Sequence, residues 1–230
     1  MNGLAITILA AAMPMANTGT PTGFHVATET ENFVFYTRDA AKVDAAKNQR
    51  FLDETSRTLG TKVEGKKAYF RYEYSEELAF VVGQAASGAT GAYMANGDVH
   101  SVNAFDAHEI VHRVAFQMGN PGSLFQEGLA VELGDGGRIG KVSVDEIAKK
   151  LVGRVAFKTL VNNFLSVAPE ARYPLAGSFV RSLIKKHGIQ TVSEFFRSCE
   201  GPQMAEAQFA KVFGTTLENA GAEWVKGLGR

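Results

Sequence analysis

The chain has 230 residues, 45% of them hydrophobic, with 24 basic and 24 acidic side chains and so a formal net charge of zero. That length and apolar content can bury a full core in one domain of two lobes. The balanced charge gives no basic surface for nucleic acid or for an anionic membrane, and a single cysteine, Cys199, excludes an internal disulfide.

Gly3 to Ala12 is an apolar run ending in small residues, and Met13 to Gly23 is rich in small and turn-forming ones. The run is too short to span a bilayer and reads as the core of a secretory signal peptide, with residues 1–23 as signal and leader. The expected location is therefore secreted or periplasmic, with residues 24–230 as a single domain. Met1-Asn2 lacks the basic residue such a peptide usually carries.

The pattern turns strand-like at Phe33 to Thr37, then helical from about Ala40 to Leu59, where Gly60 is placed as a C-terminal stop. Lys67 to Glu73 alternates aromatics and reads as a second strand, and Glu76 to Val82 as a short helix. The glycine-rich stretch 83–91 lacks the Gly-Lys-Ser/Thr ending of a phosphate cradle and reads as a connection. Asn96-Gly97 predicts a hairpin within 91–102. One of its strands is expected at a sheet edge, where an extended peptide could add by main-chain hydrogen bonds. His100, on this hairpin, reads as structural.

His108-Glu109-Ile110-Val111-His112 follows. On a helix, side chains at i and i+4 lie one turn apart on one face, so two imidazoles can share one metal ion. Glu109, one position round, falls beside the ion, where a carboxylate can take a proton from zinc-bound water. Asp106 followed by Glu109 also fits a capping box, so the structural alternative is a capped helix whose histidines only satisfy hydrogen bonds.

A catalytic zinc site usually has three protein ligands. An extended motif with a glycine and a third histidine on the same segment fails, because those positions hold Ala115 and Met118. After the break at Gly119-Asn120-Pro121, Ser123 and Gln126 read as a capping box that puts Glu127 in the first turn of a second helix. The stretch 113–126 is long enough to finish the first helix and bring an antiparallel neighbour back against the ion, and Gly128 allows close approach. Glu127 is the expected third ligand.

Three further capping pairs, Ser143 with Glu146, Thr191 with Glu194 and Thr215 with Glu218, predict helix starts in a helical C-terminal half. Leu175, Phe179, Val180, Leu183 and Ile184 form an apolar stripe that reads as core. His187, before Gly188, reads as a helix-end residue. The outline is an α+β fold: a small twisted sheet in residues 31–103, a helical lobe in residues 104–230, and zinc at their junction.

The motif pair, His108 to His112 followed by Leu124-Phe125-Gln126-Glu127-Gly128-Leu129-Ala130, resembles the gluzincin zinc metallopeptidases, most closely the peptidase MA-like family. By eye the resemblance covers residues 25 to 230. Arg172 to Leu183 looks like that family's tyrosine-started helix, and Phe209 to Trp224 like its closing helices. The resemblance implies a thermolysin-like zincin fold, one Zn²⁺ on His108, His112 and Glu127, Glu109 as general base, and a peptide or protein substrate. It also supports Tyr173 as donor to the oxyanion, projecting from the first turn of its helix. Thermolysin-like relatives carry an acidic residue four positions after the ligand glutamate, where this chain has Val131, with Glu132 next to it. The group that orients the histidines is thus left open, and Glu132 is the reserve ligand. The rival functional reading is a zinc-stabilised binding domain that has lost turnover; the metal-free rival is a purely structural domain.

Overall fold

The computed structural model describes residues 21–38, 42–83 and 89–229. Most of the expected leader, residues 1–20, lies outside them, as do residues 39–41 and 84–88.

A five-stranded mixed sheet is built from β1 (His25–Glu29), β2 (Phe33–Thr37), β3 (Lys67–Arg71), β4 (Gly91–Tyr93) and β5 (Val99–Ser101) in the order β1-β2-β3-β5-β4. The pairs β2-β3 and β3-β5 are parallel, whereas β1-β2 and β4-β5 are antiparallel. Strand alternation sorts the side chains onto two faces. Phe33, Phe35, Tyr69 and Val99 enter the main core. Phe70, Tyr72 and Leu78 form a second cluster with Phe24 on the other face. α1 (Ala45–Leu59) connects β2 to β3, starts on an Asp44 cap and ends at Gly60 in the left-handed conformation. α2 (Ser75–Val82) precedes β4.

The helical half comprises α3 (Ala107–Met118), α4 (Ser123–Leu133), a small hairpin of β6 (Arg138–Ile139) and β7 (Val142–Ser143), α5 (Val144–Leu151), α6 (Phe157–Asn162), α7 (Pro169–His187), α8 (Ile189–Arg197), α9 (Ala205–Phe213) and α10 (Leu217–Gly227). The architecture is α+β, and one apolar core runs from Phe33 on the sheet to Trp224 on α10. Among the described residues no helix is long and apolar enough to cross a membrane.

Two glycines decide how tightly α4 and α7 pack. A Cβ on Gly128 would lie 2.4 Å from Val180 Cγ2 and 2.6 Å from the Ala176 carbonyl, and one on Gly177 2.5 Å from Val131 Cγ1. Gly128 therefore serves the contact with α7.

Several boundaries differ from the sequence expectation. β1 was not expected, because all five of its residues are exposed and carry no buried-face signal. α1 begins at Ala45 on the Asp44 cap, later than the expected Ala40. The Ser123–Gln126 capping box does not form: Gly122 is the cap residue, and the Gln126 amide donates to the Gly119 carbonyl at 2.9 Å. α8 starts at Ile189 with the Thr191 hydroxyl bonded back to the His187 carbonyl, and Thr216 rather than Thr215 caps α10. The Ser143–Glu146 box is present. α7 starts at Pro169, so Tyr173 lies beyond its first turn and Pro174 is inside the helix.

Candidate metal centre

The last strand of the hairpin fixes the start of α3. Asp106 accepts from the Glu109 amide through Oδ1 at 3.4 Å, while its Oδ2 accepts from the Ser101 hydroxyl at 2.6 Å and the Asn103 amide at 3.1 Å. The capping role read from Asp106 and the histidine pair therefore coexist. One turn apart on the buried face, the His108 and His112 rings have centroids 5.0 Å apart.

α4 lays Glu127 across both rings. Glu127 Oε2 is 3.3 Å from His108 Nε2 and 3.4 Å from His112 Nε2, and the ligand atoms of the three residues all lie within 4.8 Å of one another. A tetrahedral ion with bonds of about 2.0–2.1 Å holds its ligand atoms roughly 3.3 Å apart, so the two histidine–glutamate separations match what one shared ion requires. The three side chains are buried, with His112 at 0% and Glu127 at 1% exposure. A solvated glutamate is thereby excluded. At this burial His112 Nε2 makes no hydrogen bond of normal geometry. Its 3.4 Å contact with Glu127 is long for a buried polar atom, and a metal ion between the two would satisfy both. His108, His112 and Glu127 thus form a buried group that could hold a metal ion.

Electrostatics favour a charged cluster. Burial pushes the Glu127 carboxyl up, but the His112 and His108 imidazoles outweigh it and hold the group at about 2. For His108, burial opposes protonation, yet the Asp135 carboxylate, helped by Glu127 and Glu109, raises the imidazole well above its usual value. Asp135 Oδ2 sits 2.8 Å from His108 Nδ1. That contact assigns Nδ1 to the carboxylate and leaves Nε2 to face Glu127 and the ion, as partners behind metal-binding histidines commonly do. Asp135 follows α4 in a turn. A Cβ on Gly134 would be 2.7 Å from His108 Cα, so only glycine lets the turn lie against the histidine backbone.

Glu109 is 1% exposed and points toward the sheet edge. A Cβ on Gly91 would lie 2.7 Å from Glu109 Oε1 and 2.7 Å from Asp106 Oδ2. Gly91 begins β4, which stands at the end of the sheet beside β5, so the expected edge strand lies directly against Glu109. Tyr173 is 2% exposed, its ring centroid 6.5 Å from that of His108. Its hydroxyl makes no hydrogen bond of normal geometry, although the Arg172 guanidinium lies 5.1 Å over its ring. Burial, then the Glu127 charge, push the phenol up, so it keeps its proton.

Glu132, the reserve ligand, is elsewhere. Five residues after Glu127 it has turned about 140° round the helix, and it accepts from Arg181 Nε at 2.8 Å. His100 lies on the sheet face away from Val99, its ring tilted against Phe70 at 4.8 Å and its Nδ1 2.8 Å from the Tyr72 hydroxyl. His187 packs on Phe213 at the end of α7. Asp135 is the one member that sequence reasoning missed. It lies past the end of α4, where helical spacing predicts nothing. A cleft of about 330 Å³ beside α7 and α10, lined by Asp145, Ser178, Lys185 and Trp224, contains none of these residues.

No known protein family, no curated protein and no solved structure matches the chain.

Proposed function

We propose that the protein is a zinc-dependent hydrolase, a metallopeptidase of gluzincin type with a thermolysin-like arrangement, secreted or periplasmic, acting on peptide or protein substrates. One observation carries the reading: Glu127 Oε2 lies 3.3 and 3.4 Å from the two Nε2 atoms of a helical His-x-x-x-His pair that holds a glutamate at its second position. The buried two-histidine, one-carboxylate donor set fits zinc, and leaves a coordination position for chemistry.

Held by His108, His112 and Glu127, zinc supplies Lewis acidity for a carbonyl and for the attacking water. Glu109, on the same helix, accepts the water's proton and passes it to the leaving nitrogen. Tyr173, protonated and with no well-formed hydrogen bond to give up, donates to the oxygen on which negative charge develops. β4 offers an edge to which an extended substrate adds by main-chain hydrogen bonds, beside Glu109. Asp135 keeps His108 Nδ1 engaged and its Nε2 directed at the ion.

The test is elemental analysis of the purified protein followed by peptide-library hydrolysis with wild type and Glu109→Gln. One zinc per chain, with turnover at least about a hundredfold lower in the variant and zinc retained, supports the reading. Zinc with no turnover in wild type would leave the binding-domain alternative, and a chain that takes up no zinc would refute both.

A further inference from the structure

Arg181 lies on α7 and contacts none of the three metal-binding side chains, yet its guanidinium joins three segments around the turn that carries Asp135. Nε donates to Glu132 at the end of α4 at 2.8 Å, and Nη1 donates to the Ser143 hydroxyl at 3.2 Å, with Asp145 Oδ2 at 3.7 Å. Nη2 donates to the carbonyl of Gly136, the residue after Asp135, at 3.4 Å.

The turn is confined from both sides. On one side Gly134 lies against His108, where a Cβ would meet His108 Cα at 2.7 Å and its nitrogen at 2.8 Å. On the other, a Cβ on Gly137 would fall 1.5 Å from Arg181 Nη2, and Gly137 has a φ of +65° that favours glycine. Backbone bonds from Asp135 N to the Ala130 carbonyl at 3.3 Å and from Gly137 N to the Val131 carbonyl at 2.9 Å close the turn onto α4. Between these supports, the only side chain of the turn reaches His108 Nδ1 at 2.8 Å.

We propose that Arg181 is a positioning residue of the metal centre: by fixing the Gly134–Gly137 turn between α4 and α5, it holds Asp135 on His108 and so sets the affinity for the ion. The planar guanidinium can engage Glu132, Ser143 and the Gly136 carbonyl together because its donors diverge at fixed angles. A lysine ammonium keeps the charge but cannot span the same three partners. This role rests on His108, His112 and Glu127 binding zinc.

The experiment measures zinc affinity by competition with a chromophoric chelator, alongside thermal stability, for wild type, Arg181→Lys, Arg181→Met, Asp135→Asn and the double variant Arg181→Met/Asp135→Asn. Loss of an outer partner costs about 10- to 100-fold in affinity, which is the fall expected for Asp135→Asn. Arg181→Met should weaken zinc at least severalfold, Arg181→Lys should not restore it fully, and the double variant should bind no more weakly than Asp135→Asn alone, because both changes break one path. Should Arg181→Met fail to fold, Arg181→Lys and Gly137→Ala, which presses on the guanidinium from the turn, provide the same comparison. Wild-type affinity in the folded Arg181 variants, or losses that multiply in the double variant, would overturn the proposal while leaving the metal centre intact. Absence of zinc binding in wild type would overturn both.

Discussion

A Cβ on Gly91, the first residue of the edge strand, would fall 2.7 Å from Glu109 Oε1, so the Glu109 carboxylate leaves no room there for a methyl group. Two things follow from this contact. The strand and the carboxylate are held in register, and Gly91 is required by space rather than by backbone conformation.

Gly91→Ala is therefore expected to displace the Glu109 carboxylate or the strand by several tenths of an ångström, with turnover falling tenfold or more, since small misplacements at a reacting centre are expensive. Zinc content should stay at one per chain. Unchanged hydrolysis by a folded Gly91→Ala protein would remove Glu109 from the reaction.

Tyr173→Phe separates chemistry from packing. A buried hydroxyl without a well-formed hydrogen bond contributes little to stability, so its removal should leave the melting temperature unchanged or slightly higher. Turnover should fall by about a hundredfold, as loss of one oxyanion donor typically gives. Wild-type turnover would assign Tyr173 to packing.

If zinc binds as proposed, it should compete with protons at His108. Burial opposes protonation of its imidazole, but the Asp135 carboxylate, with Glu127 and Glu109, outweighs that cost and raises the group well above its usual value. A histidine that binds zinc must be neutral, so on the proposed reading zinc uptake should be opposed by protonation there and release a proton. Apparent affinity should rise with pH, about tenfold per unit for one proton, until His108 deprotonates unaided. Calorimetry in two buffers of different ionisation enthalpy reads the proton count, and zero protons released at pH 7 contradicts the assignment.

His100 has a separate pH signature in the sheet. Burial lowers its imidazole to about 4, and the neutral ring accepts from the Tyr72 hydroxyl. Because the folded value lies below the unfolded one, about 6.5, stability is complete above pH 6.5 and is lost as pH falls from there towards 4. The loss is about 3 kcal/mol in all. Replacing both partners, His100→Phe with Tyr72→Phe, should flatten that portion of a pH–stability curve from urea unfolding; an unaltered slope would trace the pH dependence to other groups.

Glu127→Ala should abolish tight zinc binding, whereas Glu132→Ala, which removes an Arg181 partner on another face of α4, should weaken it only modestly. Competition titrations on the two variants provide the comparison, and the reverse order would exchange their roles.

What could be read from the chain was whatever obeys a local period. His108, Glu109 and His112 fix their own geometry on one helix, and Glu127 lies one helical hairpin away, so spacing alone brings them together. Tyr173 reached the neighbourhood of His108 although its local setting was misread, because Tyr-Pro usually marks a helix boundary whereas packing carries α7 back to Pro169. β1 had no apolar alternation to betray it, and Asp135 is positioned by Gly134, Gly137 and an arginine from α7, contacts that no spacing rule encodes.

His108, Glu109, His112, Glu127 and Asp135 all lie on one helical hairpin and the turn that follows it, while the sheet and α7 join it from distant parts of the chain. Closing so short a loop costs little chain entropy compared with assembling the parallel strands. A metal ion bound as proposed would capture this hairpin before the remainder docks and so act as a nucleus for folding. Zinc present during refolding should speed the folding limb measured by stopped flow, and its affinity for the partly folded chain should make its equilibrium stabilisation smaller than native-state binding alone would give.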